Sequence, residues 1–170
     1  MSKVLTILLS LFLLCSCSNK PIYEEELFSY YYDYQFYGFD IGECSFKATT
    51  VSTLKAAIDN KNSAIFLIST PSCISCMKVA EIVNEIALDN DLNVYNIDSN
   101  STIYPVFDTE NFDVLLDILK DIGINSEDDF VLPILLIINK GNISDYYYGY
   151  DYHNTMSDDE LISIIKSKLS

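Results

Sequence analysis

Apolar and polar positions alternate along the chain in a way that predicts strands and helices in turn. Phe46-Lys-Ala48 reads as a short strand, and residues 51–58 place apolar side chains at 51, 54, 57 and 58, a helical spacing that Asn60 or Asn62 can end. Ala64–Ser69 is a continuous apolar strand, the pattern expected when helices cover both faces of a sheet. Residues 73–88 predict a helix through Val79, Ile82, Val83, Ile86 and Ala87, and residues 92–97 predict the next strand. Residues 111–122 form an amphipathic helix with Phe112, Leu115, Leu116, Leu119 and Ile122 on one face; Asp108 or Thr109 can cap it, and Gly123 can end it. Ile134–Asn139 is a further strand, and Lys140-Gly141-Asn142 a hairpin turn in which Gly and Asn can take positive φ. Residues 143–148 make an antiparallel edge strand. A last helix opens with the capping box Ser157-Asp-Asp-Glu160 and buries Leu161, Ile164, Ile165 and Leu169. The order β-α-β-α-β-α-β-β-α predicts an α/β fold with a mixed central sheet flanked by helices.

The first 45 residues have a different character. Lys3 precedes an apolar run of 11 residues, 4–14, too short to span a bilayer but suited to a secretory leader. Leu14-Cys15-Ser16-Cys17 follows and resembles a bacterial lipobox. The resemblance implies a lipoprotein signal peptide over residues 1–16, cleavage after Ser16 and a lipid on Cys17, whereas Cys15 would leave Leu14 at the cleavage site. It places the protein at the extracytoplasmic face of the bacterial cell membrane, held by a lipid anchor. Residues 17–45 then form an acidic, tyrosine-rich segment without clean periodicity, either a tether or an aromatic docking segment. Cys44 near its end reads as an inert small hydrophobe, since neither Glu43 nor Ser45 would lower its pKa, although a third reactive thiol is the other reading. Residues 46–170 are the globular domain.

Charge narrows the functional classes. The chain has 170 residues, 25 acids, ten basic residues (all lysine) and a net charge of −15, so nucleic acid and anionic lipid headgroups are not expected partners. Its 49% hydrophobic content suffices for a packed core.

The chemistry centres on Ser69-Thr-Pro-Ser-Cys73-Ile-Ser-Cys76. It puts Cys73 at or near a helix N-terminus, where unpaired N–H groups and the helix dipole favour a thiolate, the attacking species in thiol–disulfide exchange. Cys76 lies one turn on. A zinc site would need a second ligand pair, and the sole histidine, His153, is far along the chain. A Ser-His-Asp hydrolase lacks a nucleophile elbow.

With Asn93-Val-Tyr-Asn-Ile-Asp98, Val131-Leu-Pro133-Ile-Leu-Leu-Ile-Ile-Asn-Lys-Gly141 and Gly149, the dithiol motif resembles the thioredoxin superfamily over residues 46–170. The resemblance implies a thioredoxin-like fold with an enlarged third helix region, since the stretch from Asp98 to Pro133 is longer than the family pattern. It implies Cys73 as nucleophile and Cys76 as resolving thiol. A cis Pro133 beside them would present the Leu132 backbone to an extended substrate and block metal capture. No cofactor beyond a redox-active Cys73–Cys76 disulfide is implied. The expected partners are exported proteins or peptides bearing thiols or disulfides, and a separate redox partner protein. Two departures stand out: Ser72 replaces the usual tryptophan, and Leu67 stands where many thioredoxins carry a buried aspartate that moves protons to the second cysteine. The alternative is an accessory or binding module for peptide export, similar in general appearance to bacteriocin transport accessory proteins.

Overall fold

The structure, a computed structural model, describes residues 44–100, 106, 108–150 and 156–169. The leader, Cys15, Cys17, the tyrosine-rich segment and His153 lie outside the described residues.

Five strands form one sheet: β1 (Phe46–Ala48), β2 (Ala64–Ser69), β3 (Val94–Asp98), β4 (Ile134–Asn139) and β5 (Asn142–Tyr148), in the order β1-β3-β2-β4-β5. β3 runs parallel to both β1 and β2, β4 antiparallel to β2, and β5 antiparallel to β4. The helices are α1 (Val51–Asp59), α2 (Ile74–Asp89), α3 (Thr109–Leu119) and α4 (Asp158–Leu169), with 3-10 turns at Lys120–Ile122 and Glu127–Asp129.

The alternation of side chains along the strands sorts the core into two layers. Leu67, Val94 and Leu135 pack with Phe46 against α2 and α4, through Val79, Val83, Ala87, Leu161 and Ile165. Phe66, Ile68, Ile97, Ile134 and Leu136 face the other way, against Leu54 and Ala57 of α1 and Leu115 and Leu119 of α3. This double coverage is why β2 reads as unbroken hydrocarbon.

Local signals set the ends. Thr50 caps α1, and Asp108 caps α3 by accepting the Asn111 N–H at 2.8 Å. α3 therefore starts at Thr109, two residues before the span 111–122 read from the sequence. It tightens into a 3-10 turn before Gly123, whose φ of +88° ends it. Phe112 and Leu116 are half-buried beside the fully buried Leu115 and Leu119, so the enlarged region is a crossover that covers the sheet. β3 begins two residues later than the apolar run, because Asp91 (φ 52°) turns the chain out of α2 and Leu92 packs as part of that turn. In the β4–β5 hairpin, positive φ falls on Lys140 (51°) and Gly141 (80°), not on Asn142. Gly141 is constrained by packing as well: a Cβ there would sit 2.5 Å from the Ile58 carbonyl oxygen. At α4, Ser157 Oγ accepts the Glu160 N–H at 3.3 Å, Leu161 and Ile165 are buried, and Ile164 and Leu169 are half-buried.

Candidate functional site

β2 ends at Ser69, and Thr70-Pro71-Ser72 turns the chain into α2, with the Cys73 N–H donating to the Thr70 carbonyl at 3.2 Å. Cys73 is itself the N-cap of α2. Its backbone is extended (φ −104°, ψ 115°), and its Sγ accepts the Cys76 N–H at 3.1 Å. A sulfur therefore occupies the place where a serine or aspartate oxygen usually satisfies the first turn. Cys73 is half-buried, and Cys76, one turn on, is fully buried.

The two thiols are electrostatically unequal. A hydrogen bond from the Cys76 thiol, aided by the backbone N–H groups of Cys76 and Ser75, outweighs burial and holds Cys73 at about 6. Cys76 is pushed far above the ordinary thiol range: first by donating to Cys73, then by burial, then by the charges of Cys73 and Asp98, against a backbone hydrogen bond from Thr70. The pair is coupled, with the negative charge favoured on the half-buried Cys73 sulfur and the proton on the buried Cys76.

The Leu132–Pro133 peptide bond is cis. Ile134 pairs with Ile68, so Pro133 stands at the same end of the sheet as the cysteine turn. Pro133 is buried and Leu132 half-buried, while Val131 (48% exposed) and Ile74 (51% exposed) are open to solvent. Cys44 lies before β1, whose Phe46 pairs with Val94 at the start of β3, and so sits toward the opposite end of the sheet from Cys73. Burial pushes its thiol up, against a backbone hydrogen bond from Phe46. Among the described residues no group of three or more His, Cys, Asp or Glu could hold a metal, and no helix is long and apolar enough to cross a membrane.

Sequence reasoning missed a polar clasp over this end of the sheet. Asn100 donates through Nδ2 to Ser72 Oγ at 2.8 Å and through its backbone N–H to Asp98 Oδ1 at 3.0 Å; Ser72 Oγ also lies 3.3 Å from Thr70 Oγ1. Below it, Ser69 Oγ donates to Asn96 Oδ1 at 2.9 Å, fully buried. The available signal was Asn96 and Asp98, polar residues at alternate positions of a largely apolar strand, with Ser99 and Asn100 directly after it.

The fold and site define a class: a mixed-sheet α/β protein whose helix N-terminus carries an inequivalent thiol pair, at the sheet end that also bears a cis-proline. The fold is thioredoxin-like, with β4 and β5 running antiparallel beside a parallel β1-β3-β2 set. Similar solved structures are thioredoxins. One is thioredoxin O2 from Arabidopsis thaliana in the oxidized state (15% identity, 73% of this chain and 94% of that one, TM-score 0.46). Others are chloroplastic thioredoxin z (18%, 72% and 92%, 0.42) and reduced desulfothioredoxin from Desulfovibrio vulgaris Hildenborough (15%, 70% and 89%, 0.39). At those TM-scores the fold assignment rests on the strand order and register. No protein-family model and no curated protein matches the chain.

Proposed function

We propose that this protein is a thiol–disulfide oxidoreductase, tethered through Cys17 at the extracytoplasmic face of a bacterial membrane and acting on exported proteins. The observation that carries the chemistry is the placement of the thiols: Cys73 Sγ caps α2 and accepts the Cys76 N–H at 3.1 Å, which helps hold it below the ordinary thiol range, while the buried Cys76 is pushed above it. The Cys73 thiolate attacks a substrate disulfide, forming a mixed disulfide and expelling one substrate thiolate. Cys76, deprotonated, then attacks the Cys73 sulfur. The Cys73–Cys76 disulfide forms, the second substrate thiolate leaves and takes up a proton, and two electrons have passed to the substrate. The same steps reversed insert a disulfide, and a separate redox protein restores the starting state. Exposed Ile74 and Val131, with half-buried Leu132 next to Val131 in sequence, offer an apolar surface for an extended substrate segment. The tether rests on the lipobox-like Leu14–Cys17 sequence, and disulfide chemistry suits that compartment.

The test is a redox titration of the full chain, read by thiol alkylation and mass. A two-electron transition confined to Cys73 and Cys76, abolished by Cys73→Ser, is expected. A potential of about −270 mV would favour reduction of substrates, and one of about −120 mV disulfide formation. A pair that stays dithiol under every oxidant would overturn the proposal and leave an export accessory or binding module in its place.

A further inference from the structure

Cys76 poses a chemical problem. Its sulfur must become a thiolate to resolve a mixed disulfide, yet it is fully buried. A proton acceptor must therefore lie close by. β2 supplies no carboxylate: its residues facing α2 near the cysteines are Leu67, fully buried in hydrocarbon, and Ser69.

The neighbouring strand differs. Leu67 pairs with Asn96, and Ser69 with Asp98. Val94 of the same alternating set packs on the α2 side, so strand alternation turns Asn96 and Asp98 toward the layer that holds Cys76. Ser69 and Asn96 are bonded to each other in the interior. Asn96 Nδ2 and Ser99 Oγ are buried with no hydrogen-bond partner among the described residues, and the Ser99 N–H donates to the Ser69 carbonyl at 3.0 Å. Buried polar atoms of this kind are ordinarily satisfied by internal water. Asp98 is half-buried, so its carboxylate can exchange protons with solvent as well as with the interior.

We propose that Asp98, through a water held at the buried Asn96 Nδ2, is the proton acceptor for Cys76 in the resolving step. This rests on the oxidoreductase reading. The Cys76 S–H proton passes by way of the water to the Asp98 carboxylate. The thiolate attacks the Cys73 sulfur of the mixed disulfide, the Cys73–Cys76 bond forms, the bond to substrate breaks, and the leaving thiolate is reprotonated from Asp98 or solvent. Asp98 is also felt at the thiol: behind the hydrogen bond to Cys73, burial and the Cys73 charge, its charge raises Cys76. Around this point Cys73 and Asp98 are the titratable groups acting on Cys76; the facing residues of β2 and β4, Leu67, Ser69 and Leu135, carry no charge. Lys78 of α2 is bonded to Asp158 of α4 and lies near Glu81, and Lys168 of α4 is bonded to Asp145 of β5.

The experiment is stopped-flow reaction of the reduced full chain, carrying Cys15→Ser, Cys17→Ser and Cys44→Ser, with the aromatic disulfide dithiobis-nitrobenzoate. The first chromophoric thiolate reports attack by Cys73 and the second reports resolution by Cys76. The second rate should show an inflection in the carboxylate range. Asp98→Asn should slow it about a hundredfold near pH 7, leave the first rate unchanged, and let it overtake the parent at strongly alkaline pH, where the lost charge no longer opposes the Cys76 thiolate. Asp98→Glu should restore part of the neutral rate. An Asp98→Asn second rate with the parent's size and pH profile overturns the proposal while leaving the oxidoreductase reading intact. Absence of any second release in the parent overturns that reading itself. Should Asp98→Asn fail to fold, the parent profile decides: a second rate with no carboxylate inflection overturns the role of Asp98.

Discussion

The two faces of the central sheet are built from the same strands and do different things. On the side of α1 and α3 the strands build a hydrocarbon layer, from Phe66 and Ile68 to Tyr95, Ile97, Ile134, Leu136 and Ile138. On the side of α2 and α4, hydrocarbon at one end of the sheet gives way to Ser69, Asn96 and Asp98 at the other, where the cysteines sit. Buried polar groups cost stability unless they are paired or hydrated. One layer can therefore hold the domain together while the other accommodates chemistry. Substitutions should separate the two accordingly.

The largest effect is expected on the hydrocarbon face. Phe66 is fully buried, and its ring lies 5.4 Å from that of Tyr95. Phe66→Ala should cost about 3–5 kcal/mol in urea denaturation. The pH midpoint of Cys73 alkylation in the remaining folded protein should not move, because nothing that sets it lies on that face. A shifted midpoint would show the two layers to be coupled.

A smaller loss is expected from Gly141→Ala. The new methyl would meet the Ile58 carbonyl at 2.5 Å in a backbone held at φ +80°. Strain of this kind costs about 1–3 kcal/mol. The hairpin is anchored to the α1–β2 connection by the Gly141 N–H on the Asn62 carbonyl, so the loss should appear as lower stability with unchanged thiol reactivity. Equal stability of variant and parent would show that the hairpin relaxes around the methyl.

These contrasts also explain how far sequence pattern reached. Strands β2 and β4 were legible because coverage on both sides demands unbroken apolar runs, and the dithiol helix because Cys73 and Cys76 sit just ahead of a helical apolar repeat. The start of β3 was misplaced because Leu92 is apolar for a different reason, packing in the turn that Asp91 makes. Asp98 and Asn100 were read only as part of a strand-like segment. Their contribution depends on Ser72 and Cys76, which are remote in sequence and come near only through the parallel β2–β3 register. Ser72 itself was read as a missing tryptophan; folded, it is the acceptor that ties the β3 loop to the cysteine turn.

The mixed face should reveal itself through pH. Cys73 in the folded, reduced chain lies at about 6, below its ordinary 9.0, so the folded state holds fewer protons than the unfolded one between those values. Its contribution to stability is therefore full above 9.0, declines as pH falls toward 6, and is absent below it. Cys76 is raised, so its contribution is present below 9.0 and is lost as pH climbs above that value. Urea midpoints of the reduced chain, compared with Cys73→Ser, should diverge progressively between pH 6 and pH 9 in favour of the cysteine. Parallel midpoints would contradict an ionised, stabilised Cys73.

The smallest effect tests whether the clasp and the thiolate are separate devices. Ser72→Ala removes the acceptor for Asn100 Nδ2, an exposed hydrogen bond, and should cost about 0.5 kcal/mol. Cys73 owes its low pKa to the Cys76 thiol and the N–H groups of Cys76 and Ser75, none of which involves Ser72. Alkylation of Cys73 against pH should therefore give the parent midpoint in Ser72→Ala. A midpoint moved toward 9.0 would mean that the loop after β3, by holding the turn in place, orients the N–H groups that stabilise the sulfur.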